Sequence, residues 1–120
     1  GGNPLAAAVA RVALRRVREP ALMAAVARLA ESLREGLAAI DVALGIFSEI
    51  RGRGLMLGAV LRERWRGKAG AVLDHAAAHG LLLLQAGPDV LRFVPALTLG
   101  EDDLADGLAR LRTALAEFVA

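Results

Sequence analysis

The sequence predicts an α/β fold, a small, largely antiparallel sheet of about four strands with helices packed on it. Two observations carry this. Apolar residues recur every three or four positions across 22–40 and again across 104–118, the period of a helix with one buried side. Between these stretches, short apolar runs at 46–51, 55–61, 81–84 and 90–94 are bounded by glycine or proline, as strands are.

In order, Asn3-Pro4 is a helix entry, because Asn caps free N–H groups and Pro fits the first helical position. That helix is expected to run to about Arg18, with Leu5, Ala8, Val9, Val12 and Val17 near one face. Glu19-Pro20 breaks it, since the residue before a proline disfavours helix, and Pro20 opens a second helix. Leu22, Val26, Leu29, Leu33, Leu37 and Ile40 form its core-facing stripe. From Gly45 the period changes. Ile46–Arg51 reads as a strand, Gly52-Arg53-Gly54 as an interruption, and Leu55–Leu61 as a second strand. Leu55, Leu57, Ala59 and Leu61 alternate with Met56, Gly58 and Val60; both sets are apolar, which predicts cover on both sides. After a polar connection at 62–68, Ala69, Val72, Leu73, Ala76 and Ala77 share a helix face. His79 falls in its last turn, and Gly80 is a left-handed stop. Strands at Leu81–Leu84 and Val90–Val94 flank the turn at 85–89. Glu101, Asp102 and Asp103 suit the N-terminal dipole of a final helix striped by Leu104, Leu108, Leu111, Leu115 and Phe118.

Composition narrows the function classes. The 120 residues suffice for one domain with a core, and no apolar run approaches the roughly 20 residues needed to span a bilayer. At the N-terminus the basic residues follow the apolar ones, the reverse of a signal peptide. There is no cysteine, which excludes disulfides and thiolate metal sites. These features predict a soluble, cytoplasmic protein. The net charge of +2, with no Tyr and one Trp, argues against nucleic acid as a partner. Arg15, Arg16 and Arg18 read as a solvated helix face. The chain starts at Gly1 without a methionine and looks like a piece of something longer.

Arg92 stands out. In an extended run, Val90, Arg92 and Val94 share one face, and Leu91 and Phe93 the other. A guanidinium among apolar groups needs an acceptor, and its planar fork suits a carboxylate. That carboxylate belongs either to the protein or to a ligand, unless the side chain snorkels to the surface; spacing alone leaves these open. Other motifs read as structure. Gly52, Gly54 and Gly58 miss the dinucleotide spacing by one residue and lead into a strand, not a helix. His75 and His79 have metal-binding spacing but no third ligand. The acidic cluster at 101–103 reads as a helix start.

Four motifs then converge in order. Gly1-Gly2-Asn3-Pro4-Leu5-Ala6, Ile50-Arg51-Gly52-Arg53-Gly54-Leu55-Met56-Leu57-Gly58, Leu91-Arg92-Phe93-Val94-Pro95-Ala96-Leu97-Thr98-Leu99 and Glu101-Asp102-Asp103-Leu104 together resemble the C-terminal portion of class III pyridoxal-phosphate aminotransferases. The similarity is greatest to the acetylornithine/succinylornithine branch, with ornithine aminotransferase as a cousin. The resemblance covers essentially the whole chain. It implies that residues 1–120 are the C-terminal small domain of a fold-type I aminotransferase, with a connecting helix at about 3–18. It implies that Arg92 holds the α-carboxylate of the amino-acid or oxo-acid substrate, and that Gly2 and Asn3 lie at the edge of the cofactor's phosphate pocket. The full enzyme would move an amino group between an N-acyl-ornithine and 2-oxoglutarate, using pyridoxal phosphate, as a homodimer. Transamination needs a lysine as Schiff-base anchor. The single lysine, Lys68, matches no catalytic position of the family. The chain alone is therefore expected to carry no catalytic residue, bind no cofactor or metal and be inactive, its main partner being the large domain it lacks. The alternative is a stand-alone binding or regulatory module that keeps the fold without catalysis.

Overall fold

The structure, a computed structural model, describes residues 20–95 and 99–120. The helix expected at about 3–18 lies outside the described residues. The elements are α1 (Pro20–Leu44), β1 (Phe47–Arg53), β2 (Met56–Leu61), a short 3-10 turn (Glu63–Trp65), α2 (Ala69–Ala78), β3 (Leu84–Gln85), β4 (Val90–Phe93) and α3 (Glu101–Val119). The strands form one sheet in the order β1-β2-β4-β3, with every neighbouring pair antiparallel. The expected architecture is thus the observed one.

The stripe of α1 buries Leu29, Leu33, Leu37 and Ile40, while Leu22 and Val26 are half-buried. The helix stops where Gly45 adopts φ 61° and donates its N–H to the Asp41 carbonyl at 2.7 Å. Asp41 also accepts the Phe47 N–H at 2.9 Å on Oδ1 and pairs with Arg62 at 3.1 Å, so one side chain ties the helix end to the start of β1. Arg34 makes a second tie. Its Nη1 donates to the Ile50 carbonyl at 3.2 Å and its Nη2 to the Gly52 carbonyl at 3.0 Å. Because β1 is an edge strand, this fork occupies carbonyls that would otherwise invite another strand.

The strand boundaries differ from expectation for local reasons. β1 does not stop at Arg51. It runs to Arg53, which pairs with Met56 across a two-residue hairpin turn, Gly54-Leu55. Gly54 has φ 55° at the first turn position, as a type II′ turn requires. β1 also carries a bulge. Phe47 pairs with Leu61 and Glu49 with Val60, so β1 spends one more residue than β2 between these pairs. The strand expected at Leu81–Leu84 is reduced to Leu84–Gln85. Leu81 and Leu83 are buried without joining the ladder; the Leu81 N–H instead closes the end of α2 on the Ala76 carbonyl at 2.9 Å. β4 ends at Phe93, one residue early. On α2, Ala69, Val72 and Ala76 are buried, but Ala77 is exposed. Gly80, with φ 80°, ends that helix as expected.

The core joins the apolar stripes of the three helices to Leu57, Ala59, Leu61, Leu91 and Phe93, which form one face of β2 and β4. Helices α1 and α3 approach closely at Gly36, where an added Cβ would collide with Leu108. The expected cover on both faces of β2 is not found among the described residues. Met56 is 58% exposed, and on the same face Leu84 is 48% exposed. All three described helices stack on one side, so the other stays open among the described residues. Val60 and Val90 are still buried because they pair directly across the ladder and screen each other.

The two hairpin glycines are not equivalent. Gly52, at φ 115°, would drive a Cβ into the Met56 carbonyl oxygen, whereas Gly54 faces open space. Gly54→Ala is expected to cost about 1–2 kcal/mol from its left-handed backbone. Gly52→Ala should cost at least about 1 kcal/mol more, within the range of localised backbone strain. Urea unfolding of the two variants measures the difference; equal losses would contradict the close approach.

Candidate functional site

Arg92 is placed by its neighbours. Leu91 and Phe93 are fully buried against the helices, and strand alternation turns the residue between them to the open face. The strand is held from both sides, with Arg92 opposite Gly58 of β2 and Leu84 of β3. The turn before it is braced by several hydrogen bonds. The Ala86 N–H donates to the Val90 carbonyl at 3.0 Å, and Gln85 Nε2 to the Gly87 carbonyl at 3.0 Å. Asp89 accepts the Gly67 N–H on Oδ1 at 2.6 Å and, through its backbone carbonyl, the Leu61 N–H at 2.9 Å. The Pro88 carbonyl accepts the Ala69 N–H at 3.0 Å. The entry to β4 is therefore fastened to both β2 and the start of α2.

Arg92 is exposed, and among the described residues no carboxylate pairs with it. The sequence had placed its charge among apolar groups. The open face removes that desolvation cost, so no protein acid is needed to compensate it. Arg92 lines an open cavity of about 330 Å³. A second cation, Arg51, lines the same cavity, together with Gly58 and the apolar side chains of Met56, Ala86 and Val90. Arg51 pairs with Gly58, and Gly58 with Arg92, so the three form one row across β1, β2 and β4. Arg51 was not singled out from the sequence. The two-residue turn at Gly54-Leu55 fixes Arg51 opposite Gly58 and is a signal present in the chain; the pairing of Gly58 with Arg92 is not.

The other sequence candidates are not brought to this site. His75 Nδ1 donates to the Ala71 carbonyl at 3.1 Å, and its ring stands edge-on to Phe118 at 5.7 Å. His79 Nε2 is bonded instead to the Glu117 carboxylate. The two imidazoles thus have separate partners, and no group of three metal-binding side chains occurs among the described residues. Glu101, Asp102 and Asp103 are exposed in the first turn of α3. Gly52, Gly54 and Gly58 belong to the hairpin. Gly2 and Asn3 lie outside the described residues. Among the described residues no helix is long and apolar enough to cross a membrane.

The family model described as "Aminotransferase class-III" matches residues 1–115. The chain belongs to this family. Within it, the chain is 67% identical over 120 residues to an acetylornithine aminotransferase of Xanthomonas campestris pv. campestris, covering all of this chain and 29% of that protein. It is 46% identical over 111 residues to a succinylornithine transaminase of Yersinia enterocolitica, covering 92% of this chain and 27% of that protein. Among solved structures, the N-acetylornithine aminotransferase of Stenotrophomonas maltophilia K279a superposes with a TM-score of 0.86 at 57% identity, over 92% of this chain and 30% of the other. The chain therefore spans about 29% of the length of its Xanthomonas relative.

Class-III aminotransferases use pyridoxal phosphate. The residues described here do not make a site for it. The single lysine of the sequence, Lys68, is exposed at the N-cap of α2 and does not line the Arg92 cavity. What the described residues offer is a cationic cleft with apolar walls.

Asp89 is expected to matter for how firmly β4 is held. Asp89→Ala removes the acceptor for the Gly67 N–H and should lower stability by about 0.5–1.5 kcal/mol. Asp89→Asn keeps a carbonyl acceptor and should lose less. The urea midpoints of the two variants provide the check.

Proposed function

We propose that residues 1–120 are the C-terminal small domain, with a connecting helix at about 3–18, of an acetylornithine-type aminotransferase in which Arg92 clamps a substrate carboxylate. The observation that carries this is the exposed Arg92 guanidinium, held in an open cleft by two buried neighbours and without a protein carboxylate among the described residues. The strand fixes where Arg92 projects, and a guanidinium fork offers two parallel donors to an incoming carboxylate. The acylornithine aminotransferase names of the similar proteins support the substrate class.

In this reading the whole enzyme moves an amino group between an N-acyl-ornithine and 2-oxoglutarate or glutamate in arginine metabolism. Pyridoxal phosphate supplies the electron sink for that chemistry when bound. Its anchor belongs to a large domain, and the chain by itself does not transaminate. Arg92 orients the α-carboxylate and so the bonds of the α-carbon. The apolar walls exclude water from one side of the substrate. Gly2 and Asn3 would stand at the edge of the cofactor's phosphate pocket. The remaining parts of the proposal are a homodimeric, cytoplasmic enzyme whose partners are small acids and its own large domain, with no role for nucleic acid or membrane.

The test is Arg92→Lys in the complete enzyme. Lysine keeps the charge and loses the planar fork. Loss of a charged hydrogen bond predicts a drop in kcat/KM for glutamate on the order of 10- to 100-fold, with the cofactor's absorbance spectrum retained. Unchanged kinetics would remove Arg92 from the site.

A further inference from the structure

The chain has no cysteine, so the thioethers of Met23 and Met56 are its only sulfur atoms. The two are exposed alike, at 56% and 58%, but only Met56 lines the Arg92 cavity. We propose that Met56 is an oxidation site, converted by a peroxide to the sulfoxide, and that this conversion weakens carboxylate binding at Arg92. The effect on binding rests on the reading of Arg92 as a carboxylate clamp.

The register sets the sulfur beside two donors. Met56 and Gly58 share the open face of β2, and Gly58 pairs with Arg51 on one side and with Arg92 on the other. Met56 is therefore the diagonal cross-strand neighbour of both arginines, a spacing that long side chains reach across. Gly58 has no side chain to screen the thioether from them. Arg51 leans over the row, with its Cγ 3.8 Å from where a Gly58 Cβ would stand. Access follows from the proposed function, because a cleft that admits an amino acid also admits the smaller hydrogen peroxide.

In the step itself, the sulfur lone pair attacks one peroxide oxygen. An S–O bond forms as the O–O bond breaks, and a proton moves to the departing oxygen, which leaves as water. Sulfur is oxidised by two electrons and the peroxide is reduced by two. The product is polar where the thioether was apolar, and its oxygen is a hydrogen-bond acceptor. That oxygen competes with a carboxylate for the Arg92 donors, which no carboxylate occupies among the described residues. Met23, on α1 and away from the cavity, has no such consequence.

The experiment treats the complete, cofactor-loaded enzyme with hydrogen peroxide, with and without saturating glutamate. Peptide mass spectrometry reads the sulfoxide at Met56 and Met23, and initial rates read KM for glutamate. Met56 should oxidise, and glutamate should slow that oxidation without slowing it at Met23. KM should rise about tenfold, as expected for one charged hydrogen bond lost to a competitor. Methionine sulfoxide reductase should reverse the rise. Met56→Leu, compared with its own untreated KM, should show no rise, whereas Met23→Leu should keep it. An unmodified Met56, oxidation that glutamate does not slow, a modified Met56 with unchanged KM, or an equal rise in Met56→Leu would each overturn the proposal. If Met56→Leu fails to fold, protection by glutamate in the wild type decides. Arg92→Lys separates the two levels. If it lowers kcat/KM while oxidation of Met56 changes nothing, the clamp stands and the Met56 inference falls. If Arg92→Lys changes nothing, both fall together.

Discussion

Leu91 and Phe93 are fully buried beneath the helices, and the site follows from that burial. With every second residue of β4 committed to the core, the residue between them has no choice of side. The same holds for β2, where Leu57, Ala59 and Leu61 face the helices and Met56, Gly58 and Val60 face away. Because all three described helices stack on one face, the sheet acts as a partition, with a core behind it and a cleft in front. A register slip of one residue would exchange the two, burying a guanidinium and exposing two large apolar side chains. The cost of that exchange helps keep Arg92 in place.

On β1 the partition depends on a smaller device. Phe47, Glu49, Arg51 and Arg53 would share a face if β1 were regular, and Phe47 is buried. The bulge between Phe47 and Glu49 resets the alternation, sending Phe47 to the core and Glu49, Arg51 and Arg53 to the open side. Asp41 holds the start of the bulged segment through the Phe47 N–H, and Arg34 holds its far end through the Ile50 and Gly52 carbonyls. Two residues of α1 thus set the course of a strand whose exposed arginine lines the cleft. The helix–strand contact positions side chains on the opposite face of the sheet.

Membership of the class-III aminotransferases accounts for what this chain contains and for what it lacks. The chain spans about 29% of the length of its Xanthomonas relative, and among the described residues it carries a cleft lined by Arg51 and Arg92. An open, half-apolar sheet face is costly to leave in water on a complete domain surface.

The sequence by itself determined the element order, the α/β class, the stripes of α1 and α3, the change of period at Gly45, the glycine stop at Gly80, and the alternation that sets Arg92 apart from Leu91 and Phe93. These are local properties: helical period, strand period and glycine's access to positive φ. It also carried the family motifs, because they are contiguous residues. Tertiary structure alone decided which side of the sheet is covered. An apolar alternation on both faces of β2 does not say on which side three amphipathic helices will stack. It decided that Leu81 and Leu83 serve the core without joining the ladder, since strand membership depends on a partner's backbone. It also decided that Arg51 joins Arg92, because that needs both the bulge in β1 and the pairing of β2 with β4. The β2–β4 pairing joins residues 30 to 36 positions apart in the chain, from Val60↔Val90 to Leu57↔Phe93, where no local preference reaches.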